Sequence, residues 1–261
     1  METVTSKDGT TLAFDAVGDG PPLVIVAGAT STRLPNTAFA ELLSAEHRVL
    51  NYDRRGRGDS GDTPPYAVER EIEDLAAVIE AAGGDATVLG FSSGANLSLR
   101  AAAAGVDIAR LALWEANFVV NDERPPLPAD YVDHLNELVA GNRRGDAVEY
   151  FMTAAVGLPA EFVAPMRQMP MWPAMEAVAH TIAYDGAIVG DSMSGRPISA
   201  DRYAAVDVPA LVLVGGTSPW LTDGGHALAE ALPRGRVRRL DGQTHDVAPD
   251  VLAPAVLEFT S

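Results

Sequence analysis

Leu23-Val24-Ile25-Val26-Ala27 is apolar at every position, so it has no polar side to turn toward water. A strand of this kind is buried on both faces, which puts it in a sheet covered by helices above and below. Shorter or interrupted runs follow at His47–Tyr52, Ala86–Leu89, Ile108–Trp114, Leu211–Val214 and Arg236–Leu240. Helical patterns separate them. Val68, Ile72, Leu75 and Ile79 fall on one face of a helix that stops at Gly83-Gly84. Asn36–Ala45, Ala95–Ala104, His226–Leu232 and Val251–Phe259 also read as helices. Strand–helix alternation implies right-handed crossovers and a mostly parallel sheet, so the fold class is α/β. Thr3–Thr5 and Leu12–Val17 open the chain as a β-hairpin turning at Lys7-Asp8-Gly9.

The alternation breaks between Phe118 and Ala205. That stretch is proline-rich, with helical patterns at Tyr131–Ala140, Ala147–Val156 and Ala174–Ala183. It reads as a helical cap, residues 118–205, inserted into a core made of residues 1–117 and 206–261. Every methionine except Met1 falls inside it. Methionine suits an adaptable apolar pocket, and it suits ordinary packing of cap on core equally well.

Composition narrows the partners. The chain has 261 residues and a net charge of −17, from 19 Lys+Arg against 36 Asp+Glu. Such a field repels nucleic acid and anionic membranes and favours solubility. With no cysteine there is no disulfide, thiolate metal site or cysteine nucleophile. The polar start METVTSKDGTT has no apolar signal core, and no run is long enough to span a bilayer. The expectation is a cytoplasmic protein acting on a small molecule, with no nucleic-acid or membrane partner; a homodimer is compatible with the sequence.

The segment that carries chemistry is Thr87-Val88-Leu89-Gly90-Phe91-Ser92-Ser93-Gly94. Its Gly-x-Ser-x-Gly pattern lies between an expected strand and an expected helix, the context that gives the pattern meaning. A serine on so sharp a turn is pushed out at the carboxyl edge of the sheet, beside a helix N-terminus that favours a developing oxyanion. Ser92 is the candidate nucleophile. The amide of Ser93, the next residue, is a candidate oxyanion donor. The hydroxyl needs a base. Of five histidines, His47 opens a strand, His134 and His180 lie in the cap, and His226 sits at a helix start. His245, in Gly242-Gln243-Thr244-His245-Asp246 after the last strand, faces the same sheet edge as Ser92 and is the candidate base.

Together with Asn51-Tyr52-Asp53-Arg54-Arg55-Gly56-Arg57-Gly58-Asp59-Ser60, these segments resemble the α/β-hydrolase superfamily over nearly the whole chain. The resemblance implies eight strands, a cap after the sixth, and the chain order serine, acid, histidine. Two departures stand out. Many relatives carry His-Gly after the third strand, where this chain has Ala27-Gly28-Ala29. The backbone of Ala29 can still supply the second oxyanion amide, but the hydrogen bonds of the histidine have no counterpart. Relatives also place the acid just after the seventh strand, where Ser218 stands here. A serine cannot stabilise an imidazolium as a carboxylate does. Glu115, at the end of an apolar strand, is the expected acid. Asp223, or no carboxylate at all, remains open, as does an ion pair between Glu115 and an arginine of the Arg54–Arg57 loop. Those arginines themselves are expected to be structural, pairing with Asp53 or Asp59.

The expected activity is serine ester hydrolysis on a small apolar ester, lactone or thioester, with neither cofactor nor metal. A C–C bond hydrolase, a cofactor-free haloperoxidase and a catalytically silent binding protein are the alternatives.

Overall fold

The computed structural model describes residues 1–261. Eight strands form one sheet: β1 (Glu2–Thr5), β2 (Thr11–Val17), β3 (Pro22–Val26), β4 (Arg48–Tyr52), β5 (Ala86–Phe91), β6 (Ile108–Trp114), β7 (Ala210–Gly216) and β8 (Gly235–Gln243). Their order is β1-β2-β4-β3-β5-β6-β7-β8. β1 and β2 form the antiparallel hairpin, β2 runs antiparallel to β4, and all other pairings are parallel.

The order explains where a site can form. From β3 the chain crosses to β4 on one side, then returns to β5 on the other. The chain thus reverses direction at β3, and in sheets of this kind the carboxyl ends at such a switch point are where sites form.

Helices cover both faces. α1 (Thr37–Leu43) and α10 (Pro249–Thr260) cover one face, closing a buried cluster with Ile25, Leu89, Leu213 and Leu252. α2 (Val68–Ala82), α3 (Ser93–Ala103) and α9 (Pro219–Ala231) cover the other, over Val26, Val88, Leu113 and Val212. Alternate residues of each strand thus enter opposite clusters, as the continuous apolar runs require.

α9 begins seven residues before the expected start at His226, so Gly224-Gly225 lies inside it. The pair is there for packing: a Cβ on Gly224 would strike the Phe118 carbonyl, and one on Gly225 would strike Val214.

Between β6 and β7 the chain forms α4 (Tyr131–Ala140), α5 (Arg144–Tyr150), α6 (Ala160–Met166), α7 (Trp172–Ala177) and α8 (Ile182–Val189). They enclose their own apolar cluster, including Tyr131, Leu135, Val148, Trp172 and Ile182. Three expectations change here. Ala147–Val156 is α5 followed by a π-helical turn over Phe151–Val156, ended by Gly157 at φ 85°. α6 was not expected, because Pro165 near its end masks the pattern. Ala174–Ala183 is not one helix: α7 gives way to a tight turn at Ala179–Thr181 before α8 starts. Its apolar spacing survives the break, since Met175, Val178, Ala179, Ile182 and Ala183 are all buried. Periodicity reports the buried face, and the buried face is continuous through the turn.

The methionines divide. Met152, Met175 and Met193 are buried, whereas Met169 and Met171 are about half exposed, at 47% and 48%. No helix is long and apolar enough to cross a membrane.

Candidate active site

Ser92 sits between β5 and α3 at φ 53° and ψ −121°, a left-handed conformation costly for a residue with a Cβ. The turn has no spare room. A Cβ on Gly90 would lie 2.6 Å from the Ala95 Cα, and one on Gly94 would run into the Val26 carbonyl. The Ser92 N–H donates to the Trp114 carbonyl at 2.9 Å, which pins the turn to the end of β6.

Glu115 follows β6 directly, also at positive φ (43°), and is 1% exposed. Its Oε2 lies 2.7 Å from His245 Nδ1, and its Oε1 accepts the Gly215 N–H at 3.0 Å. A carboxylate offers only acceptors, so Nδ1 carries the proton and Nε2 is left as a lone-pair acceptor. This is the tautomer a general base needs. Both carboxylate oxygens are used, as a buried charge requires. The Trp114 indole N–H donates to the His245 carbonyl at 2.9 Å and holds that loop over the strand end. The imidazole is half exposed, at 49%.

Glu115 therefore makes no pair with the Arg54–Arg57 loop. Asp223, on α9, accepts instead from Asn121 Nδ2 at 2.8 Å and does not bond His245. Ser218 immediately precedes α9, where its carbonyl accepts the Thr222 N–H. The other histidines stand apart. His47 bridges Pro21 and Thr260, His134 lies half-buried on α4 edge-on to Tyr150, His226 is exposed on α9, and His180 packs over Gly56. Burial, then Arg144, pushes the His180 imidazole below its ordinary pKa.

Ser93 is the first residue of α3, where backbone N–H groups have no intrahelical acceptor. Gly28 packs against the turn: a Cβ on it would lie 3.1 Å from the Ser92 Cβ. Ala29 comes next, and Thr30 beyond it has φ 57°. Three of the five non-glycine residues at positive φ, namely Thr30, Ser92 and Glu115, thus lie on loops leaving β3, β5 and β6. Strain concentrated this way marks a place where geometry is being held for use.

The arginines do not pair with Asp53 or Asp59 as expected. Arg33 takes both of those carboxylates. Arg55 grips Asp74 through two bonds and Asp8 through one. Arg54 grips Glu71 and Asp185, and Arg57 reaches Asp185. All three are essentially fully buried, and each meets at least one carboxylate, Asp185 being shared by Arg54 and Arg57. The local pairing fails because Gly58, at φ 54°, turns the loop so that Asp53 accepts the Asp59 N–H and faces Arg33.

Two neighbours of the site escaped the sequence reading. Asn117 Oδ1 accepts the Ser92 hydroxyl at 3.2 Å, so the hydroxyl bonds Asn117 and not His245. Asn117 is itself fixed by Asn96, which bonds both its N–H and its carbonyl. Its place two residues beyond Glu115 was the available signal. Asp185 gave none, standing 131 residues from Arg54.

No three His, Asp or Glu side chains are grouped to hold a metal.

The sequence profile of the alpha/beta hydrolase family matches residues 23–256. The chain belongs to that family. A crystal structure of an alpha/beta hydrolase from Sphaerobacter thermophilus is 55% identical, covers both chains completely and has a TM-score of 0.92. A thermophilic esterase from Thermogutta terrifontis is 25% identical over 99% of this chain and 97% of its own, with a TM-score of 0.73. BpoC of Mycobacterium tuberculosis, named as a non-heme bromoperoxidase, is 25% identical over 95% of this chain and 97% of its own. The family and these relatives make the protein a hydrolase in fold and general class.

Proposed function

We propose that this hydrolase cleaves small carboxylic esters, lactones or thioesters through a Ser92 acyl-enzyme. The observation that carries the reading is the 2.7 Å contact between His245 Nδ1 and the buried Glu115, at the sheet edge that also bears Ser92. It supplies a base in the right tautomer for the nucleophile.

The hydroxyl first turns from Asn117 toward His245 Nε2. Catalytic hydrogen bonds commonly tighten only once substrate is bound. His245 then takes the proton as Ser92 Oγ attacks the carbonyl carbon. The negative charge that forms on the carbonyl oxygen is met by the amides of Ala29 and Ser93. His245 gives its proton to the departing alcohol or thiol, and the acyl group stays on Ser92. Water, deprotonated by His245, attacks the acyl carbon and releases the acid. Glu115 keeps the imidazole oriented and stabilises its charged form at each transfer.

The esterase from Thermogutta terrifontis supports the ester class. The bromoperoxidase relative favours one second reading, in which hydrogen peroxide replaces water in the last step.

The test is turnover of p-nitrophenyl esters of graded acyl length by wild type and Ser92→Ala. Loss of about 10⁴-fold or more in kcat is expected. Equal turnover by the two proteins contradicts the reading. Bromination in acetate and hydrogen peroxide, with slow ester hydrolysis, would favour the second.

A further inference from the structure

The loop after β3 lacks the histidine that supports it in many relatives, yet it is not unsupported. Arg57 Nη1 donates to the Gly28 carbonyl at 2.6 Å, and Arg54 Nη1 donates to the Ala27 carbonyl at 3.2 Å. The Gly28 carbonyl and the Ala29 N–H belong to one planar trans peptide unit, so they point in opposite directions. A cation fixed on the carbonyl therefore fixes where the N–H points. It also polarises the unit, which makes the N–H a stronger donor.

Arg57 is held in turn. Its Nη2 donates to Asp185 Oδ2 at 2.7 Å. Asp185 Oδ1 accepts from Arg54 at 2.8 Å and from the Ser93 hydroxyl at 2.7 Å. Asp185 comes from α8, in the helical stretch after β6, and is 4% exposed. Burial works to raise its pKa, but Arg57, Arg54 and the Ser93 hydroxyl outweigh it and keep the carboxyl below its ordinary value. One carboxylate thus touches both residues beside the nucleophile: Ser93 directly, and the Gly28–Ala29 peptide through Arg57.

We propose that Asp185 is the positioning residue for both oxyanion donors, aiming the Ala29 N–H through Arg57 and seating Ser93 through its hydroxyl. The inference rests on the reading of Ala29 and Ser93 as those donors. It goes beyond that reading in making the geometry of the oxyanion site depend on a side chain of the inserted helices. An inserted segment displaced from the sheet would lose this contact, so its seating and the chemistry are coupled.

The test uses Asp185→Asn and Ser93→Ala in the full chain, with esterase kinetics and affinity for a trifluoromethyl ketone. That inhibitor forms the tetrahedral adduct whose oxyanion the two donors would hold. In Asp185→Asn, kcat is expected to fall by about 10- to 100-fold, part of what losing an oxyanion donor costs, with KM little changed. Inhibitor affinity should fall in proportion to kcat/KM. Ser93→Ala removes one hydroxyl, and with it a 3.4 Å bond from Arg54 Nη1, but leaves every arginine–carboxylate pair intact, so it is the decisive variant if Asp185→Asn does not fold. A smaller fall in kcat and inhibitor affinity together is expected. A purely structural Asp185 would lower the melting temperature and leave inhibitor affinity of the folded protein unchanged. That result, or unchanged kcat and inhibitor affinity in Ser93→Ala, overturns the proposal. Wild type that neither turns over esters nor binds the inhibitor would instead refute the acyl-enzyme reading itself.

Discussion

The carboxyl edge of the sheet and the helices inserted after β6 solve opposite problems. At the edge, side chains are fixed by backbone: Ser92 and Glu115 occupy left-handed conformations, and Gly90 and Gly94 admit no side chain. The strands behind them are buried on both faces, so the turns cannot drift. The inserted helices are short, six to ten residues each, and are fixed mainly by an apolar cluster of their own. Their tie to the edge includes a charged contact, Asp185 with Arg54 and Arg57. One region gives up conformational freedom for placement. The other keeps a compact core whose surface can vary without disturbing the strands.

This contrast can be broken at either end. The largest effect is expected at the edge. Glu115→Gln should lower kcat by about 10³–10⁴-fold, because the amide no longer stabilises the imidazolium or enforces its tautomer. Asp223→Asn should leave kcat near wild type, since Asp223 bonds Asn121 and not His245. Steady-state ester hydrolysis checks both, and the reverse ranking would move the acid to the loop after β7. In the inserted helices, Trp172→Ala removes a side chain that is 3% exposed. It should cost about 3–5 kcal/mol of stability by denaturant unfolding. At temperatures where the variant is folded, the reactivity of Ser92 should persist. A catalytic loss as large as that of Glu115→Gln would erase the distinction between the two regions.

The smallest effect concerns a second charged network, on the sheet side. Burial works against ionised Asp8, but Thr10 and Arg55 outweigh it and hold the carboxyl at about 2. The unfolded chain therefore takes up that proton at higher pH than the folded protein. The stabilisation is complete above about pH 4 and is lost as pH falls toward 2. Melting temperatures measured from pH 6 to 3 should fall less steeply for Asp8→Asn than for wild type. Parallel curves would show that Asp8 is not strained toward its charged form.

The same contrast governs what could be read from sequence. β3, β5, β6 and β7 were legible because burial on both faces leaves no choice of residue type. The contact of Glu115 with His245 was legible from a charge where an apolar strand ends and a histidine after the last strand. The partners of Arg54, Arg55 and Arg57 were not, because the turn at Gly58 hands Asp53 to Arg33, and Asp185 arrives from a distant helix. α6 and the break after α7 were hidden by Pro165 and by a turn that preserves the buried face. Asn117 was in view but unassigned, since a neutral amide announces no chemistry until a hydroxyl is found beside it.

The most direct test of the central claim is intact-mass analysis after treatment with a fluorophosphonate, followed by peptide mapping. We expect one phosphonyl group per chain, on the peptide that holds Ser92, and none in Ser92→Ala. An unmodified wild-type protein, or a modification that persists when Ser92 is replaced, would contradict the account.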